Sequence, residues 1–342
     1  MQDDYRTPDE RREDWDGRFQ PMWVVREEPQ QQAPVPETQP ATPPVNAQPA
    51  QPIYRPRPRV KRRRRILRWV LLFPFVACMA CSFVYVLIPP PPTDILILGV
   101  DARPGEGYVT RTDSIMLLGV QPRRMRVSLL SIPRDLFINV PGYGSQRINT
   151  VNVLGELERE GYGPELLSAG IENSFGIQPD KYARLNFDAF VQLVDAVGGV
   201  TINVPKEIVD YQYPTRSNGT QVVRFETGRQ RMDGETALIY ARTRHADDDY
   251  GRAERQQQVI SALMRKLANP LNWGTAIAVI SLNVDTNMNP LEMALYAPPM
   301  LVSGGTGTMD RLVIDRDYIL PGGGGAVPNY EKLRPWLEPR FD

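Results

Sequence analysis

The chain has 342 residues, and lysine plus arginine balance aspartate plus glutamate at 40 each, so net charge selects no class of partner. A single histidine, His245, excludes a zinc site built on several histidines. Both cysteines, Cys78 and Cys81, fall in one apolar stretch, which leaves the rest of the chain without a disulfide or a thiol nucleophile.

Residues 1–60 are charged at first and then rich in Gln, Pro and Ala, without apolar periodicity. They read as a disordered cytoplasmic tail. "RPRPRVKRRRRILR" (55–68) then gathers nine positive side chains and no negative one. "WVLLFPFVACMACSFVYVLI" (69–88) follows with no charge over twenty residues. That length crosses the roughly 30 Å hydrocarbon core as one helix. Basic residues stay on the cytoplasmic side, so the reading is a basic flank and transmembrane helix over 61–88, with the N-terminus inside and the bulk of the chain outside. A cleaved signal peptide fits less well, because some sixty residues precede the basic run and no A-x-A site follows. Prolines at 89–92 make a stiff spacer, 89–93.

From there the texture is globular. "DILILGVD" (94–101), "DSIMLLGVQP" (113–122) and "RVSLLSIPRD" (126–135) are apolar runs closed by turn residues, the pattern of strands buried on both faces. "GPELLSAGIENSFG" (163–176) and "NFDAFVQLVDAVGG" (186–199) carry helical spacing and end at glycine. "VTINVP" (200–205) reads as a further strand. "GETALIYARTR" (234–244) starts helical and turns extended, and "GRAERQQQVISALMRKLAN" (251–269) reads as a long amphipathic helix. Strands alternating with helices predict an α/β fold, a three-layer α/β/α sandwich around a mixed sheet, over 94–267. Residues 268–342 read as a C-terminal extension packed on that domain, with a helix at "NPLEMALYAPPML", a strand at "RLVIDRDYIL" and a loop at "PGGGG".

The chemistry gathers in "YARTRHADDDYGRAERQQQ" (240–258). An extended Leu238–Arg244 points Tyr240, Arg242 and Arg244 to one face. Arg252 and Gln256 share a face of the following helix, with Val259, Ile260 and Leu263 as its buried stripe. Arginine forks and a helix N-terminus together suit a multiply charged anion such as a diphosphate. The alternative is a solvated loop in which Asp247, Asp248 and Asp249 pair with the arginines. Asp101 at one strand mouth and Asp113 at the next suit Mg²⁺, which takes one or two carboxylates plus phosphate oxygens. Arg111, Arg134, Asp135 and Arg147 stand at other strand ends, where α/β folds keep their sites, although each also fits a surface ion pair. There is no P-loop motif. Phe187, Phe190, Val191 and Val194 line an apolar slot or form plain core.

These pieces together are similar to the LytR-CpsA-Psr family of bacterial cell-envelope proteins. "ILILGVDAR", "TRTDSIMLL", "VSLLSIPRDLFINVPGYG", "RINTVN", "FDAFVQLVDAVGGVTINVP", "MDGETALIYARTRH" and "DYGRAERQQQVI" occur in the family's order over about residues 94–267, half the chain. The resemblance implies a membrane-anchored, Mg-dependent phosphotransferase with a pocket for a polyprenyl lipid. Such an enzyme moves a glycopolymer from a polyprenyl diphosphate carrier to a cell-wall acceptor such as peptidoglycan, leaving a phosphodiester. By resemblance, Asp101 and Asp113 bind Mg²⁺, while Arg111, Arg134, Arg242, Arg244, Arg252 and Gln256 hold the diphosphate. Arg147 stands where a lysine is common. Arg111, Asp113 and Arg134 carry the catalytic step. Asp135 and His245 are weak candidates for a base. Other readings are a polyprenyl diphosphate phosphatase, a lipid-binding module without catalysis and a membrane-bound transcriptional regulator. No helix-turn-helix accompanies the basic run, and no nucleic-acid partner is expected.

Overall fold

The structure, a computed structural model, describes residues 72–73, 76–80, 82–102, 107–214, 219–244, 249–322 and 324–341. The predicted cytoplasmic tail (1–60), the whole basic run up to Arg68, His245, Asp247 and Asp248 lie outside the described residues. The predicted span falls only partly within them, with helix at 72–73, 76–80 and 82–87. Among the described residues no helix is long and apolar enough to cross a membrane.

The fold is mixed α/β around a central mixed sheet of six strands. Its middle is an antiparallel meander: β1 (Thr93–Val100), β2 (Thr112–Gln121) and β3 (Arg126–Ile132). β6 (Lys181–Leu185) adds parallel to β1, and the short β11 (Asp285–Thr286) closes that edge. On the other side β12 (Asp310–Val313) adds parallel to β3. Successive side chains of a strand point to opposite faces, and both faces here are buried. Leu96, Leu98, Ile115 and Leu117 face a core shared with α1 (Ile148–Glu158), α2 (Gly163–Phe175) and α8 (Tyr330–Leu337). Ile95, Ile97, Met116 and Leu118 face α5 (Asp249–Leu267) and α7 (Pro290–Thr306). Helices therefore cover the sheet on both sides.

Hairpins make up the rest: β4 (Phe137–Val140) with β5 (Gly144–Arg147), β8 (Ile208–Pro214) with β9 (Thr220–Phe225), and β13 (Ile319–Gly322) with β14 (Gly325–Pro328). β7 (Val200–Val204) is a strand as predicted, but it stands outside the central sheet and pairs with β10 (Gly228–Met232). It roofs a separate core with α3 (Phe187–Ala196) and α4 (Gly234–Arg242). The segment read as a C-terminal extension does more than pack on the outside. It supplies β11 and β12 to the sheet, and its helices α6 (Trp273–Asn283) and α7 wall a cavity.

A second departure lies at residues 238–244. The alternation of "YARTR" suggests a strand, yet α4 stays helical through Arg242. Arg255 explains why. Its buried guanidinium donates to the carbonyls of Tyr240 and Thr243, taking up acceptors that the helix end leaves open. Tyr240 is consequently buried, its hydroxyl donating to Gln258 Oε1 at 2.6 Å, and shares no strand face with Arg242 and Arg244.

Candidate active site

The site forms where strands end. β1 and β3 run the same way, so the residues after β1, before β2 and after β3 gather at one end of the sheet. The β1–β2 register breaks there: Gly99 opposes Ser114 and Val100 opposes Thr112, which leaves Asp113 as an extra, bulged residue. A bulge re-aims a side chain out of the ladder. Both Asp113 oxygens meet arginines, Oδ1 with Arg134 Nη1 at 3.0 Å and Oδ2 with Arg244 Nη2 at 3.3 Å. Arg134 Nε also lies 3.3 Å from Asp249 Oδ2 and 3.7 Å from Asp135 Oδ2. Arg252 Nη2 is 3.3 Å from the same Asp249 oxygen. Arg147 joins at the rim, 3.4 Å from Asp135 Oδ1. The alternative loop reading is thus met in part: one of the three aspartates, Asp249, does pair with arginines.

These pairs leave donors over. Among the described residues Arg252 Nη1 is buried without a hydrogen-bond partner, as are Thr112 Oγ1 and Asn149 Oδ1, while Arg134 Nε is buried with ion-pair contacts alone. Buried donors of this kind are costly and rare. Arg252 is 6% exposed. Burial, then the nearby Arg244 and Arg134 charges, push its pKa down to about 10 against the pull of Asp249. Burial also works against the charge on Arg134, but Asp113, Asp249 and Asp135 outweigh it and raise its pKa. A buried guanidinium with an N–H that no described residue accepts, next to a second one held only by ion pairs, is a receptor for an anion that brings its own oxygens.

Asp113, Arg134, Asp249, Arg252 and Gln256 line a polar cavity of about 290 Å³. A second, apolar cavity of about 320 Å³ lies against the sheet face of Ile95, Ile97, Met116 and Leu118, walled by α3, α5, α6 and α7. Along that face the apolar side chains give way at the strand ends to Gly99 and Ser114. The two cavities share Ser114 and Gln256, whose Nε2 donates to Ser114 Oγ at 2.7 Å. A Cβ on Gly99 would stand 3.0 Å from Ser114 Cβ, so glycine keeps this junction clear. Phe187 and Phe190 line the apolar cavity, whereas Val194 belongs to the core under β7. The predicted stripe of Val259, Ile260 and Leu263 faces this cavity as well.

The structure thus gathers Asp113, Arg134, Arg244, Arg252 and Gln256, with Arg147 at the edge. Arg242 is set apart: it lines the apolar cavity, its guanidinium 4.0 Å above the Phe187 ring. Asp101 and Arg111 stand exposed at the mouths of β1 and β2, without an ion pair to any described residue. Sequence reasoning named Asp249 only in the alternative loop reading; here it is the shared partner of Arg134 and Arg252. Sequence reasoning missed Arg184, which is 2% exposed between Glu156 (2.6 Å), Asp285 (2.7 Å) and the Tyr108 ring (3.8 Å). Asn152 bonds Arg184 and also the carbonyls of Tyr108 and Thr110, fastening the segment that leads into Arg111.

Comparison with known proteins follows this geometry. The family model for the LytR_cpsA_psr family matches residues 90–310. Polyisoprenyl-teichoic acid--peptidoglycan teichoic acid transferase TagU of Oceanobacillus iheyensis is 35% identical over 201 residues, 57% of this chain and 59% of that protein. Regulatory protein MsrR of Staphylococcus aureus is 35% identical over 178 residues, 51% of this chain and 49% of that protein. The chain therefore spans about half to three fifths of the length of these two curated relatives. The solved structure of TagT bound to LIIa-WTA is 25% identical, with a TM-score of 0.56 over 72% of this chain and 88% of that chain. A match that takes in five strands of the central sheet and reaches the first residue of the sixth leaves one conclusion: the chain belongs to the LytR-CpsA-Psr family.

Proposed function

We propose that the chain is a membrane-anchored transferase that moves a glycopolymer from a polyprenyl diphosphate carrier to peptidoglycan. The observation that carries this reading is the junction at Ser114 and Gln256, the two residues that line both an arginine-bearing cavity and an apolar one. A diphosphate bearing a long hydrocarbon tail has that division of chemistry. The names of TagU and of the TagT structure point to the same class of substrate.

In this reading the tail lies along Ile97, Met116, Phe190 and Ile260, and the diphosphate takes the guanidinium N–H groups of Arg134 and Arg252. Asp113 holds Arg134 and Arg244 in register for it. An acceptor hydroxyl oxygen attacks the phosphorus that carries the glycopolymer. The bond from that phosphorus to the bridging oxygen breaks, polyprenyl phosphate leaves with the electron pair, and the hydroxyl proton passes to water or to the departing phosphate. Phosphoryl transfer depends on such positioning and on charge stabilisation. Asp101, exposed at the mouth of β1, and Asp113, once its oxygens yield from Arg134 and Arg244, are the carboxylates that would hold Mg²⁺, which takes one or two carboxylates together with phosphate oxygens and water. The ion would supply neutralisation of charge on the phosphate oxygens. Residues 69–88 serve as the anchor, with the catalytic domain outside.

Two measurements test this. Protease added to intact cells should digest residues 93–342 and spare the first sixty. Mass spectrometry of organic extracts of the purified protein should find polyprenyl phosphate or diphosphate. A protected domain that carries no such lipid and takes none up at micromolar concentration overturns the proposal and favours a regulatory role.

A further inference from the structure

The polar cavity has a wall that neither diphosphate nor lipid accounts for. β12 lies parallel to β3 at the sheet edge, and Ile314 N–H continues that ladder to the Ser131 carbonyl. Gln257 ties α5 to both strands through Ser131 Oγ and the Leu312 carbonyl. The chain then turns through Arg316–Tyr318, so Arg316 sits past the carboxyl end of β12 as Arg134 sits past β3. Parallel strands of α/β folds present their binding groups at that end. Arg316, Tyr250, Ile319 and Ala326 line the polar cavity and have no part in the apolar one. The Arg316 guanidinium lies 5.9 Å from the Tyr250 ring centroid. It is exposed and pairs with no carboxylate among the described residues, while Asp315 is occupied in capping its own turn through the Asp317 N–H. Arg316 also follows the last residue matched by the family model.

We infer that Tyr250 and Arg316 form a subsite for the sugar attached to the donor diphosphate. This rests on the lipid-carrier reading above. With the lipid leaving through the junction at Ser114 and Gln256, the sugar on the other phosphate occupies the part of the cavity the lipid does not share. There an aromatic face stacks on the apolar side of a pyranose, and an unpaired planar guanidinium donates to its hydroxyls. The ligand class is a hexose or N-acetylhexosamine 1-diphosphate.

The test uses the full-length chain and two probes, a short-chain polyprenyl diphosphate and the same lipid bearing N-acetylglucosamine on its terminal phosphate. The parent should bind the sugar-bearing probe more tightly. Arg316→Ala should remove most of that gain, about tenfold for one charged hydrogen bond, and leave affinity for the sugar-free probe unchanged. Tyr250→Ala should act in the same direction. Melting curves verify folding, and the exposed position of Arg316 favours it. Equal losses for both probes make Arg316 another diphosphate contact and overturn the subsite. So does a pair of variants that bind both probes as the parent does, or a parent that binds both equally. A parent that binds neither probe overturns the lipid-carrier reading itself, and the subsite with it.

Discussion

Replacing Arg252 with methionine should separate stability from binding. The side chain is 6% exposed, Nη2 meets Asp249 at 3.3 Å and Nη1 has no hydrogen-bond partner among the described residues. Its pKa falls from the ordinary 12.5 to about 10, with burial the leading cause. That drop corresponds to roughly 3 kcal/mol against the charged form. The sign is that of a base with a depressed folded pKa: the charge costs stability at every pH below the folded value, neutral pH included. A buried ion replaced by an apolar side chain of similar size is commonly neutral or stabilising. Asp249 retains Arg134 at 3.3 Å, so no carboxylate is stranded. Arg252→Met should therefore leave the ligand-free protein as stable as the parent or up to about 3 kcal/mol more stable, raising Tm by about 2–4 °C per kcal/mol. Pyrophosphate should behave oppositely. One charge-assisted bond contributes about 1.5–3 kcal/mol, so affinity should fall roughly 10- to 150-fold. Melting curves with and without pyrophosphate read both effects: the anion raises Tm in the parent and scarcely in the variant. A variant that melts several degrees lower without ligand, yet binds pyrophosphate as the parent does, refutes the view that Arg252 is held in strain for an anion.

Gly99→Val should place a branched side chain against Ser114, whose Cβ already stands 3.0 Å from where a Cβ would go. Polyprenyl phosphate uptake should drop at least tenfold while pyrophosphate affinity holds, as titration with each would read. Asp113→Asn removes the carboxylate between Arg134 and Arg244. Transfer should collapse, while metal-free pyrophosphate binding is kept or strengthened. Glu156 carries an acid dependence. Burial pushes its pKa up, but the Gly161 N–H and Arg184 prevail and hold it below the ordinary 4.5. Its contribution is complete above pH 4.5 and is lost as pH falls through the lower folded value. Urea midpoints across that range should therefore drop more steeply for the parent than for Glu156→Gln, and parallel curves would count against the assignment.

The parts legible in sequence are those encoded locally. β1, β2 and β3 announce themselves as apolar runs, and α2 ends where predicted because Gly176 takes φ 69°, a conformation that favours glycine. Arg252 and Gln256 share a helix face as their spacing requires. What failed was set by distant partners. The end of α4 is fixed by Arg255, thirteen residues beyond Arg242 and on another helix. β11 is two residues long, too short for any periodicity to show, and β12, within the segment read as a strand, gave no sign that it would join the central sheet. Arg184 owes its burial to Glu156 and Asp285, far off on either side in the chain. The apolar cavity needs α6 and α7, helices whose role appears only once they fold back over the sheet.

The central claim is transfer of the glycopolymer with its phosphate. The direct measurement supplies the protein with a polyprenyl diphosphate glycopolymer labelled at the phosphorus next to the sugar, together with Mg²⁺ and peptidoglycan. The account predicts label bound to peptidoglycan through a phosphodiester, with one unlabelled polyprenyl phosphate released for each transfer. Label that remains on the lipid, or that appears only as free sugar phosphate while peptidoglycan stays unlabelled, contradicts it.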